Sequence, residues 1–193
     1  MRRICAVLRS AIITLTLLTS RFYPQSSLNG SLDLTQVSCL NEADGHTIRD
    51  LLKGGSDNWL ESDSDEQLLI HLPFQQSSRI RALRLKTLPA HLARAPASLR
   101  LFVNRPTLGF DDAESEEATQ EIQLTEAQVK GEAAVELRFV KFQNVNVLSI
   151  FVADNQGGEG EDVTRIDELE VLGVAREGTD MSQLSKGEDD HNH

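Results

Sequence analysis

The chain has 193 residues, 39% of them hydrophobic and 25% charged, with aromatics at only 5%. This is enough for one folded domain with an aliphatic core plus tails, and it excludes a disordered chain. The formal net charge of −11 repels phosphate backbones, which argues against a nucleic-acid partner and leaves solubility or a basic protein surface as what the carboxylates serve.

Charge is unevenly spread. Asp33 is the first acidic residue, so residues 1–32, with Arg2, Arg3, Arg9 and Arg21, carry +4 and the remainder carries −15. Two cysteines, Cys5 and Cys39, form neither a disulfide framework nor a Cys-x-x-Cys redox pair, and a reducing compartment is expected. In residues 1–27 a basic start precedes an apolar run from Ala11 to Thr19, about half of the roughly 20 residues that span a bilayer. No stable membrane span is expected. Three readings of this segment stay open: a secretory signal, an organelle transit peptide, or an aberrant N-terminus joined to an ordinary domain.

Ser26 to Ser31 reads as a linker, which makes residues 1–31 an atypical N-terminal segment. A short flanking helix follows, with Ile48, Leu51 and Leu52 on one face and Gly54-Gly55 ending it. Trp59, the only Trp in the chain, is expected to plug an apolar gap.

Beyond Ser62 the pattern is one short strand after another. The candidates are 67–74, 79–88, 99–104, 121–124, 135–142, 147–153 and 166–174. Leu68 to Phe74 is a nearly unbroken apolar run and reads as buried, with Pro73 ending the strand or marking an edge. Phase slips between Ala82 and Leu83 and between Phe139 and Val140 predict bulges. Two connections, 104–119 and 155–164, read as solvated acidic loops. Thr125 and Gln128 have capping-box spacing for a single helical turn. Residues 175–193 form a flexible acidic tail. Short strands without crossover helices predict an all-β fold, an antiparallel β-sandwich or jelly roll.

No catalytic constellation emerges. Asp63, Asp65 and Glu66 suggest a cation site, but the spacing of a calcium loop fails after Gln67 and an acidic turn accounts for them. His71 lies inside a strand, where solvent exposure or one core hydrogen bond is expected. His191 and His193, near a mobile acidic terminus, could enter a cleft and ligate a metal held by another protein. No cofactor is implied, and no metal site within the domain.

Four blocks together carry a resemblance: Cys39-Leu-Asn-Glu-Ala-Asp44, Leu60-Glu-Ser-Asp-Ser-Asp-Glu-Gln-Leu-Leu-Ile70, Val140-Lys-Phe-Gln-Asn-Val-Asn146 with Ile150-Phe-Val152, and Thr164-Arg-Ile166 through Gly173. Over residues 32–174 the chain resembles the PITH domain, the proteasome-interacting domain that follows thioredoxin in thioredoxin-like proteins. The motif positions carried over are Asp63, Asp65, Glu66, Gln67, Asn104, Gln143, Asn144 and Thr164.

The resemblance implies a galactose-binding-like jelly roll and a non-catalytic adaptor on the 26S proteasome regulatory particle, in cytoplasm and nucleus. A genuine presequence in residues 1–27 would instead imply organelle or secretory targeting. Because that particle includes a zinc-dependent deubiquitinase, the resemblance points to His193, and less to His191, as the tail contact. Residues 1–31 hold no Trp-Cys-Gly-Pro-Cys motif, so redox activity is not carried over, and the upstream segment is expected to have been lost or replaced. The competing function is a carbohydrate-binding jelly-roll module, against which the scarcity of aromatics counts.

Overall fold

The computed structural model describes residues 26–176. In chain order the elements are β1 (Ser26–Ser27), β2 (Ser38–Leu40), α1 (Ile48–Lys53), β3 (Leu60–Glu61), β4 (Leu68–Lys86), β5 (Pro96–Val103), α2 (Phe110–Ser115), β6 (Gln120–Gln123), α3 (Glu126–Val129), β7 (Val135–Glu136), β8 (Val145–Asn155), β9 (Arg165–Ile166) and β10 (Glu168–Ala175). All pairings are antiparallel.

β4 organises the molecule. Its first half, Leu68–Pro73, pairs with β8 on one side and β2 on the other, and β8 continues through β5 to β6. Its second half, Ser78–Lys86, pairs with β10, which carries β1 at its edge, and with β7. One strand therefore serves two half-sheets, and their facing side chains form the main core. Leu68, Ile70 and Leu72 meet Leu99, Leu101, Leu148, Ile150, Ile80, Leu83, Leu85 and Val171 there. This is the expected jelly-roll sandwich.

The apolar run at 68–74 is explained by burial on both faces. Leu69 points away from the main core into a second cluster with Phe102, Leu108, Ala113, Ala118 and Phe151. That cluster lies under α2. The 104–119 connection is thus not simply a solvated loop: it contributes Leu108, Ala113 and Ala118 to a buried layer. Arg100 holds its exit, donating from Nη1 to the Ala113 and Glu114 carbonyls at 2.6 Å and from Nη2 to the Glu116 carbonyl at 2.8 Å. A guanidinium on the last carbonyls of a helix offsets their partial negative charge.

Several expectations need correction. Pro73 does not end its strand. It stays in register with Val147, its carbonyl accepts from the Asp33 N–H at 2.8 Å, and the ladder shifts only between Pro73 and Ser78. The missing N–H interrupts pairing without stopping the extended backbone, so the two strands read at 67–74 and 79–88 are one.

The slip at Ala82 corresponds to a bulge one residue earlier. Ile80 opposes Gly173 and Ala82 opposes Leu172, leaving Arg81 as the extra residue. The slip at Phe139 is no bulge: 135–142 divides into β7 and a 3-10 turn, Phe139–Phe142. The strand read at 166–174 is likewise divided between β9 and β10.

Ser26 to Ser31 is not a linker. β1 pairs with β10, Leu28 is buried, and Asn29 receives the Val171 N–H on Oδ1 while donating from Nδ2 to the Leu169 carbonyl. α1 and the capping box of α3 match expectation, with Thr47 and Thr125 as the N-caps. No helix among the described residues is long and apolar enough to cross a membrane.

Candidate functional site

The sequence-selected residues divide between the two ends of the first half-sheet. These ends are separated by the five steps from Leu68 to Pro73, about 17 Å at the usual rise. Asp63, Asp65, Glu66, Gln67 and Thr164 gather at one end, and Asn104, Gln143 and Asn144 at the other.

At the first end Asn41 is the hub, although sequence reasoning did not single it out. Its backbone is left-handed, φ 65°, which Asn tolerates better than most residues. Its Nδ2 donates to Asp65 Oδ1 at 2.8 Å and to the Gln67 carbonyl at 2.7 Å, and its Oδ1 accepts the Ser64 N–H at 3.0 Å. Asp65 Oδ1 also accepts the Gln67 N–H at 3.0 Å.

Buried Thr164 donates from Oγ1 to the Glu66 carbonyl at 2.6 Å and from its N–H to Ser62 Oγ at 2.9 Å. Gln67 reaches Glu114 at 2.9 Å. The carboxylates and amides here close a turn, and no group of three His, Cys, Asp or Glu among the described residues could hold a metal.

At the other end Asn104 is also left-handed, φ 59°. It donates to the Asn144 carbonyl at 3.0 Å and accepts the Asn146 and Val147 N–H groups at 2.8 and 3.3 Å. Asn144 Oδ1 accepts from Ser77 Oγ at 2.6 Å and from Arg176 Nη1 at 3.0 Å, while Gln143 donates to the Phe139 carbonyl at 3.1 Å. His191 and His193 lie outside the described residues.

Trp59 corrects another expectation, because it fills no core gap. It is half-buried beside the first end, stacked on His46 with ring centroids 3.9 Å apart, and the Arg165 guanidinium stands 4.1 Å from its ring centroid. Two groups cannot share the same 4 Å above one ring, so they cover opposite faces. The indole N–H donates to Glu61 at 2.9 Å, and Arg94 lies near both Glu61 and Glu161. Arg165 is itself fixed by Asp167 at 2.7 Å, with both side chains largely buried.

A groove of about 610 Å³ runs beside this cluster between the end of α1 and the outer faces of β4 and β10. Leu51, Leu52 and Leu88 line it with Arg84–Glu170 and Lys86–Glu168, which are paired across the strands.

His71 and Cys39 are the remaining chemically notable groups. His71 is buried, with Nδ1 2.9 Å from Ser149 Oγ, and burial pushes its imidazole below the usual range against a backbone hydrogen bond with Leu108. The Cys39 thiol is free, and burial together with the Glu42 carboxylate pushes it up, away from thiolate at neutral pH.

The two turn clusters carry the motif residues that first set the chain apart, and the comparison that decides what it is runs across both: residues 19–189 match the model of the PITH domain. The chain belongs to the PITH domain family.

Thioredoxin-like protein 1 of Schizosaccharomyces pombe is 35% identical over 165 residues, 84% of this chain and 56% of that protein. PITH domain-containing protein CG6153 of Drosophila melanogaster is 34% identical over 145 residues, 72% of this chain and 65% of that protein. The PITH chain therefore spans less than two thirds of the length of these relatives.

Among solved structures, the CBM32-1 and CBM32-2 domains of Clostridium perfringens ZmpB in complex with GalNAc superpose with TM-score 0.59 at 9% identity, covering 78% of this chain and 36% of that one. The family 32 CBM of C. perfringens NanJ in complex with galactose gives TM-score 0.56 at 10% identity, covering 77% and 98%. At such identities the likeness concerns the fold, and it is the galactose-binding-like jelly roll expected from the PITH resemblance.

Proposed function

We propose that this PITH domain is a non-catalytic adaptor that docks on the 26S proteasome regulatory particle, with the His-ended tail as one contact. The observation that carries this reading is the family match over 19–189, supported by the thioredoxin-like relative. The use of Asn41, Asp65, Asn104, Asn144 and Thr164 in closing turns supports it too, since side chains so committed hold surfaces in place. In this reading His193, and secondarily His191, approaches a metal held by the partner, and the protein resides in cytoplasm and nucleus.

The test is a pull-down from cell lysate with the intact chain and with residues 188–193 deleted. Co-purification of regulatory-particle subunits, weakened by the deletion, is expected. Absence of those subunits from the intact-chain sample would overturn the adaptor reading, and equal recovery with both proteins would remove the tail from it.

The second reading, carbohydrate binding, draws on the GalNAc and galactose complexes of the structural neighbours. A sugar face needs an uncovered aromatic face to stack on, and both faces of Trp59 are occupied. Galactose and GalNAc added to the same protein are expected to leave its melting temperature unchanged.

A further inference from the structure

The segment from Arg138 to Asn144 lies along the flank of the second half of β4. At one end the Leu137 N–H donates to the Arg81 carbonyl at 2.8 Å, and the Arg81 guanidinium stands 4.1 Å from the Phe139 ring centroid. At the other end Ser77 and Arg176 both reach Asn144. The strip therefore follows β4 from Arg81 to Ser77, four steps or about 13 Å, which is the reach of four or five extended residues.

Its surface is basic and apolar. Arg79, Arg138, Lys141 and Arg176 are exposed along it, and none of the ion pairs among the described residues includes them. Lys141 donates to the Thr119 carbonyl and Arg176 to Asn144, so these cations are met by neutral oxygens. Glu136, on β7 opposite Ala82, is a carboxylate at the border.

Between the cations stand exposed apolar side chains, Val140 at 85% and Phe139 at 37% exposure, with Val174 at 44% beside Arg79. Val140, Phe139 and Val174 are among the most exposed large apolar side chains of the described residues, and apolar side chains grouped beside cations suit a partner that covers both. The groove beside α1 differs, since its charges are paired across the strands.

We infer that this strip is a docking surface for an extended acidic peptide segment of a partner protein, carboxylates meeting the Arg and Lys side chains and one apolar side chain covering Val140 and Phe139. Charge complementarity selects this occupant: four cations bordered by apolar side chains fit short acidic segments, while the −11 of the chain as a whole repels a long polyanion such as nucleic acid. The inference does not depend on the His191 and His193 contact, because it concerns 79–81, 138–141 and 174–176 and names the partner by its chemistry.

The test is fluorescence anisotropy of the full chain with a labelled peptide of Asp and Glu flanking a central Leu, against a control peptide with Asn and Gln in place of the acids. Binding of the acidic peptide alone, weakening as salt is raised through the physiological range, is expected. Arg138→Glu with Lys141→Glu should weaken it about tenfold or more, as should Val140→Asp.

Lys53→Glu with Lys130→Glu, an equal change of net charge elsewhere, should leave it within about twofold, and melting curves of each variant establish that it is folded. Equal weakening by the Lys53 and Lys130 pair, no binding up to about 1 mM, or tighter binding of a single-stranded oligonucleotide than of the peptide would each overturn the inference.

Discussion

Asn41 and Asn104 sit in the left-handed region, at φ 65° and 59°, and each uses its amide to close a turn on nearby backbone groups. The Asp65 carboxylate and the Asn144 main-chain carbonyl are the partners of these amides. The contact at 65 calls for a side-chain acceptor, whereas the contact at 144 needs only a backbone carbonyl. His71 differs, being a titratable group whose imidazole burial pushes below its ordinary range.

An unfolded histidine titrates near pH 6.5, and the folded one titrates lower. Between those values the unfolded chain binds more protons, so stability rises with pH. The contribution is complete above about pH 6.5 and is lost as pH falls below it. Urea midpoints at pH 7.5 and 5.5 are expected to differ less in His71→Gln than in the parent protein. An unchanged difference would mean that other groups carry the acid sensitivity.

At the scale of elements, the bulge between β4 and β10 depends on Gly173. A Cβ built there would stand 2.1 Å from the Arg79 carbonyl oxygen and 2.9 Å from Leu28 Cδ1. The first contact is with backbone of a central strand, which cannot move without opening the β4–β10 ladder. Gly173→Ala is expected to lower unfolding free energy by about 1–3 kcal/mol, the usual cost of overpacking. Gly30→Ala, where nothing lies within 4 Å, serves as the comparison. Equal urea midpoints for the two variants would contradict this account. The same bulge leaves Arg81 as the extra residue of its strand, and Arg81 stacks against Phe139.

For the whole molecule, β4 gives the two half-sheets a strand in common, and its core-facing side chains belong to one continuous cluster. Neither half can open without exposing part of the other. A single cooperative unfolding transition is expected, with far-UV dichroism and Trp59 fluorescence giving the same midpoint; separated midpoints would mean that the half-sheets unfold independently.

Strand-sized periodicity, the apolar run at 68–74, the α1 pattern and the Thr125 capping box were all legible in the sequence, because each rests on residues within a few positions of one another. The blocks that carry the PITH resemblance were legible for the same reason. What periodicity could not show was set by contacts across the fold. Pro73 remains in a strand because Val147 of β8 and the Asp33 N–H hold its two sides. Ser26 to Ser31 joins the domain because Asn29 finds β10 about 140 residues away.

The status of Trp59 was likewise decided by His46, in the loop before α1, and Arg165, on β9. The basic and apolar strip is assembled from 79–81, 138–141 and 174–176, three segments that only the sandwich brings side by side. Local sequence determined which pieces would be strands and turns. Tertiary structure decided which surfaces those pieces jointly present, because side chains far apart in the chain share a face only after the long strand has bent from one half-sheet into the other.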